Sequence, residues 1–103
     1  MARIIKWSKH ADQKFDKILE YLESEWGEKT AKAFVKRTYE FLDLLVDFPD
    51  IGSVEHAERQ IRGFVLVKQI TLFYKIKGNV IVILNFYDNR QRPKRRRYAR
   101  HSH

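Results

Sequence analysis

Seven of the last fourteen residues, Arg90 to His103, are Lys or Arg (Arg90, Arg92, Lys94, Arg95, Arg96, Arg97 and Arg100), and none is Asp or Glu. The 89 residues before them hold fourteen basic and thirteen acidic side chains, so the formal +8 of the chain divides into about +1 on the body and +7 on the terminus. The chemistry of such a segment is electrostatic. It gathers polyanions, nucleic acid or acidic protein, without making or breaking bonds. The alternative is a solvated tail that binds nothing. Bond-breaking groups are scarce elsewhere. Among the four histidines, His10 falls in a first helical turn, His56 in a loop, and His101 and His103 at the chain end, so no clean general base stands out. His101-Ser-His103 offers two nitrogens, too few for a closed metal site, and neither a metal nor a cofactor is expected. The absence of cysteine excludes disulfides and thiolate ligation and fits a reducing compartment. There is no Gly-rich phosphate loop, serine-nucleophile motif or paired-carboxylate pattern. Asp88 suits orienting Arg90 or capping a turn better than acting as a base.

The basic segment follows directly on the most apolar run in the chain, Val80 to Tyr87, so the elements that position it can be read backwards from there. Continuous apolarity over Val80–Phe86 predicts a central strand covered on at least one face. Gly78-Asn79 makes a two-residue hairpin turn to a preceding strand, where Ile70, Leu72, Tyr74 and Ile76 alternate with Thr71, Phe73, Lys75 and Lys77. Before it, Arg59 to Lys68 reads as a further strand, bent or bulged at Gly63. Upstream of Ile51 the period is helical. Ala11, Phe15, Ile18, Leu19, Leu22 and Trp26 form one apolar stripe, with Ser8 as N-cap and Gly27 as stop. Ala31, Phe34, Val35, Thr38, Phe41, Leu42, Leu45 and Phe48 form a second stripe, ended by Pro49, and so short a connection forces an antiparallel helix hairpin. Arg3 to Trp7 is a short opening strand with Ile5 and Trp7 on one side.

The fold class is therefore α+β, in the order β-α-α-β-β-β, with a helix hairpin on a small antiparallel sheet. One domain over residues 1–93 and a basic C-terminal tail over 94–103 account for the whole chain, and 103 residues suffice for a single modest core. A 44% hydrophobic content excludes intrinsic disorder of the body. No apolar run approaches the roughly 20 residues of a membrane helix. The opening Met-Ala-Arg-Ile-Ile-Lys-Trp is charged too early for a signal peptide, so the expectation is a soluble cytoplasmic protein with no membrane partner.

Several motifs stand in a recognisable order: Ile5-Lys-Trp-Ser-Lys-His-Ala11, Tyr21-Leu22 with Trp26-Gly27, Phe48-Pro-Asp-Ile-Gly52, Ile61-Arg-Gly63, Leu72-Phe-Tyr-Lys-Ile76 and Ile83-Leu-Asn-Phe-Tyr-Asp-Asn-Arg-Gln-Arg-Pro93. Together they span about ninety residues, and in this order the chain resembles the toxin half of bacterial toxin–antitoxin modules, the RelE/ParE superfamily. The ending Asp88 to Pro93 is similar to the ParE-like plasmid stabilisation subgroup.

The resemblance implies a small toxin silenced by a cognate antitoxin, and two poisons are possible. RelE-like members cut mRNA in the ribosomal A site. ParE-like members inhibit DNA gyrase with no known hydrolytic step. Metal-free RNA cleavage needs activation of the 2′-OH, a proton donor and cations for the developing charge. RelE-like toxins draw these from strand Arg and Lys and a Tyr near the C-terminus, so the matching residues are Arg62, Tyr87 and Arg90, with Lys68 one strand further on. Tyr87 also suits plain packing with its hydroxyl in water, and Arg62 a surface salt bridge. In either case Arg92, Lys94, Arg95, Arg96 and Arg97 are the expected contacts to target or nucleic acid. Tyr21, Trp26 and Tyr39 are the expected antitoxin anchors, because exposed aromatics concentrate in interface hot spots. A ParE-like gyrase inhibitor is the favoured reading, with a RelE-like ribosome-dependent endoribonuclease second and a non-catalytic nucleic-acid-binding module third.

Overall fold

The computed structural model describes residues 3–89. Seven elements follow one another: β1 (Ile4–Trp7), α1 (Lys9–Trp26), α2 (Glu28–Asp47), β2 (Ser53–His56), β3 (Ile61–Val67), β4 (Ile70–Lys77) and β5 (Val80–Asp88). The strands form one sheet in the order β1-β5-β4-β3-β2. The helix hairpin covers one face of it, and among the described residues no element covers the other. The boundary expected at residue 93 lies outside the described residues.

The expected α+β architecture is present, with three differences. First, the sheet is mixed: β1 runs parallel to β5, while β2 to β5 pair antiparallel in sequence. Second, β5 is interior but β4 is the middle strand, because β1 and β2 occupy the edges. Third, there is an additional strand, β2. All four of its residues are exposed, so it carries no apolar alternation to read, and only its ladder with β3 defines it. The strand irregularity expected at Gly63 is also elsewhere. Gly63 pairs regularly with Ser53 and Phe73, and the register shifts fall between Val54 and His56 and between Val65 and Val67. Space is tight at Gly63, where a Cβ would stand 3.1 Å from both Glu55 Cγ and Phe73 Cε1, so a larger residue would push these side chains aside by a few tenths of an ångström.

The core forms where the two helical stripes meet the inward residues of the sheet. Phe15, Ile18, Phe34, Phe41, Leu42 and Leu45 lie against Leu66, Ile70, Leu72, Tyr74, Ile81, Ile83 and Phe86, all buried. Phe41 stacks on Phe64 at 4.1 Å between ring centroids, and Phe15 joins Trp7, Phe34 and Phe86 within 5.6 Å. Offset and edge-on ring pairs of this kind add about 0.5–1.5 kcal/mol each beyond the area they bury.

A bulge in β5 decides which residues reach that core. Tyr74 pairs with Ile83 but Phe73 pairs with Asn85, leaving Leu84 as the extra residue. Inward positions thus switch from Ile81 and Ile83 to Phe86, and Asn85 turns away from the apolar layer. Ser8 links this bulge to the start of α1. Its hydroxyl accepts the Ala11 N–H at 3.0 Å and donates to Leu84 O at 3.2 Å, while its own N–H donates to Ile83 O at 2.9 Å. One side chain thereby caps a helix and satisfies the backbone a bulge leaves unpaired. At Gly27, with φ +98, α1 gives way to α2 through a backbone shape only glycine takes without strain.

Candidate functional surfaces

Arg62 sits on β3 opposite Tyr74, so its side chain leaves the sheet on the helix side, beyond the end of α2. There its Nη1 donates to Gly52 O at 2.7 Å and to Asp50 O at 3.1 Å, and Nη2 lies 3.6 Å from Asp50 Oδ1. Asp50 is 81% exposed, so the ion pair is weak, and the two backbone carbonyls are the stronger partners. Tyr74 holds the same loop from beneath. Its hydroxyl donates to Pro49 O at 2.7 Å and accepts the Gly52 N–H at 2.9 Å. Burial pushes the Tyr74 phenol above its usual range, partly offset by the Gly52 N–H and the Arg62 charge. Arg62 and Tyr74 together clamp residues 49–52 between α2 and β2.

Tyr87 pairs with Thr71, whose neighbours Ile70 and Leu72 point into the core. Its ring is therefore on the uncovered face of the sheet, opposite to Arg62. The structure does not bring Arg62 and Tyr87 together. Lys68 stands in the turn between β3 and β4 and not on a further strand. Arg90, Arg92, Lys94, Arg95, Arg96 and Arg97 lie outside the described residues.

Two grooves run side by side where the helix hairpin meets the β3–β4 turn. The first, about 500 Å³, has Tyr21 and Leu22 on one wall and Ile70 and Asp88 on the other, with Lys14 and Lys17 at its rim. The second, about 440 Å³, is lined by Trp26, Phe34, Arg37 and Val67. Leu22 and Ile70 belong to both, so the two make one trough. Tyr21 is 43% exposed and Trp26 64%, which places two of the three expected anchors along the trough. Tyr39 is elsewhere, with its ring 6.2 Å from that of Trp7.

Sequence reasoning missed Arg37, which lines the trough in addition to Lys14 and Lys17. Its Nε donates to Leu66 O at 3.0 Å and its guanidinium lies over the Phe64 ring at 5.9 Å, contacts that only the packing of α2 on β3 creates. Missed as well was the character of the uncovered sheet face. Lys6, Lys75 and Lys77 project from it beside Phe73, Val82 and Tyr87, and none of the three lysines makes an ion pair among the described residues. Asn85 lies at the bulge on this face, and among the described residues its enclosed Oδ1 has no hydrogen-bond partner. Among the described residues, no group of three or more His, Cys, Asp or Glu could hold a metal ion, and no helix is long and apolar enough to cross a membrane.

A family model described as the ParE toxin of the type II toxin–antitoxin system parDE matches residues 5–93. The chain belongs to the ParE toxin family. Among solved structures, this ParE-family chain is similar to the chromosomal ParDE system of P. aeruginosa, with TM-score 0.70 and 20% identity over 84% of this chain and 95% of that one. It is also similar to the YoeB dimer of Staphylococcus aureus, with TM-score 0.57 and 15% identity over 82% and 94% of the two chains. The YoeB/ParE toxin of Agrobacterium tumefaciens follows at TM-score 0.56 and 8% identity over 82% and 96%. At such identities the structures share the fold, while the family match carries the membership. No curated protein matches the sequence.

Proposed function

We propose that this type II toxin–antitoxin toxin acts in the cytoplasm as a non-hydrolytic inhibitor of DNA gyrase, silenced by a cognate antitoxin. The observation that carries the reading is the commitment of Arg62. A metal-free nuclease would need that guanidinium beside the phenol of Tyr87, on one substrate. Arg62 instead holds two backbone carbonyls on the opposite face of the sheet. What remains for the target is surface charge, from the arginine-rich terminus above all.

The trough between the helices and the β3–β4 turn is the seat this reading gives the antitoxin. Its apolar walls and the cations Lys14, Lys17 and Arg37 suit an amphipathic segment with acidic residues along one side. Tyr21 and Trp26 are its aromatic anchors.

Purified toxin added to gyrase and relaxed plasmid should block supercoiling, and Tyr87→Phe should leave that block nearly unchanged. Neutralising Arg95, Arg96 and Arg97 should relieve it. Codon-specific cuts in cellular mRNA that vanish with Tyr87→Phe would replace this reading with the RelE-like one.

A further inference from the structure

We infer that the uncovered face of the sheet is a binding surface for single-stranded DNA. The inference does not depend on gyrase being the target. Four cross-strand rows define the surface. Lys6, Val82 and Lys75 make one row across β1, β5 and β4, and Ile4, Val80 and Lys77 make the next. Asn85, Phe73 and Gly63 form the third, and Tyr87, Thr71 and Val65 the fourth. Cations thus occupy one end of the face and aromatic rings the other.

Three properties favour a nucleic-acid strand over other occupants. The first is charge. Lys6 and Lys75 are two strands apart, about 10 Å, and Lys77 is about 7 Å further along β4, so three free ammonium groups cluster in reach of successive phosphates. Among the described residues the single carboxylate on this face is Glu55, at the β2 edge beside Gly63. The second is ring placement. Phe73 and Tyr87 stand on a diagonal between neighbouring strands, about 7–8 Å apart, and both are partly exposed. Partly exposed rings on a sheet, flanked by lysines, form a platform on which bases stack irrespective of sequence. The third is continuity: in the sequence, β5 is followed at once by the seven cations from Arg90 to Arg100. An acidic peptide would use the lysines but gain little from the rings, which makes single-stranded DNA the better match.

The test is fluorescence anisotropy of the full-length toxin with a labelled oligothymidylate, set against an abasic phosphodiester strand of equal length and a glutamate-rich peptide, over a range of salt. Oligothymidylate should bind about tenfold more tightly than the abasic strand, the increment a stacked base supplies. Phe73→Leu, which stays apolar but loses the ring, should remove most of that preference. Lys6→Ala with Lys75→Ala should weaken both strands and lower the salt slope by about 1.4, two phosphate contacts' worth for a single strand. Should Phe73→Leu misfold, the lysine pair and the abasic comparison still decide. Equal binding of both strands would overturn the inference. So would tighter binding of the peptide, or affinity lost with Arg95, Arg96 and Arg97 neutralised yet unmoved by the lysine pair.

Discussion

The two sides of the sheet treat charge in opposite ways. On the helix side, α1 and α2 carry nine acidic and seven basic residues, and neighbours of opposite sign meet one turn apart: Lys32 with Glu28 at 3.2 Å and Lys36 with Glu40 at 3.5 Å. Such exposed pairs contribute a few tenths of a kcal/mol each and leave little net field. On the uncovered side, Lys6, Lys75 and Lys77 have no ion-pair partner among the described residues. A body of about +1 overall is thus slightly acidic in its helix layer and cationic on the other side, because the strands that supply the uncovered face place no acid there except Glu55. Net charge summed along a chain says nothing of this. Topology sorts it.

The comparison holds only while the two layers stay joined, and the largest expected effect comes from separating them. Phe41 is fully buried and stacks on Phe64, coupling α2 to β3. Phe41→Ala should cost about 3–5 kcal/mol, through lost transfer energy and the cavity left behind. Urea denaturation would measure it, and a loss below 1 kcal/mol would mean that the helix layer is not docked as described.

Next in size is the clamp at the α2–β2 loop. Tyr74→Phe leaves the buried Gly52 N–H and Pro49 O without their partner and should cost about 1–3 kcal/mol. The pH dependence follows from the raised phenol. A group whose folded pKa lies above its unfolded value of about 10 gives its full stabilisation below that pH and loses it as pH climbs through the folded value. Thermal melts from neutral to strongly alkaline pH should therefore show wild type falling towards the Tyr74→Phe variant above about pH 10. A constant difference across that range would show that the phenol stays un-ionised for some other reason. Smaller again is Ser8→Ala, which removes both a helix cap and a donor to the β5 bulge, at about 1–2 kcal/mol.

How much of this was legible in the sequence depends on whether a residue announces itself by period. The helix stripes, the Ser8 cap, the Gly27 stop and the Gly78 turn all do, since each is set by local spacing or by a backbone shape few residues adopt. Gly78 indeed takes φ +61. The β2 edge strand does not, because Ser53–His56 buries nothing and exists only through its pairing. The β5 bulge was half visible: Asn85 breaks the apolar run, yet only the ladder shows Leu84 as the extra residue that turns Asn85 outward. The face of Arg62 was in principle readable from alternation with Phe64 and Leu66. Its capture by the carbonyls of Asp50 and Gly52 was not, because that loop meets β3 only in three dimensions. Tyr21 and Trp26 were found as exposed aromatics. Tyr39 looked identical in the sequence, and its place beside Trp7 depends on where β1 docks.

The smallest cost in stability should come from Trp26→Ala, and there the comparison between the sides is at its sharpest. Trp26 is 64% exposed at the end of α1, so truncation should alter folding by no more than about 0.5 kcal/mol. If the trough seats the antitoxin, the same change should weaken the complex by about 2 kcal/mol, roughly thirtyfold, as loss of a central aromatic anchor does. Tyr39→Ala serves as the control, because its ring is half exposed but stands away from the trough, against Trp7. Lys6→Ala with Lys75→Ala probes the other side and should leave antitoxin affinity within about twofold, while lowering binding of single-stranded DNA. Calorimetric titration of antitoxin into the three variants separates these outcomes. Equal losses for Trp26→Ala and Tyr39→Ala would place the antitoxin around the whole helix layer and not in the trough. A loss confined to the lysine pair would move it to the uncovered face, where it would compete directly with the nucleic-acid strand.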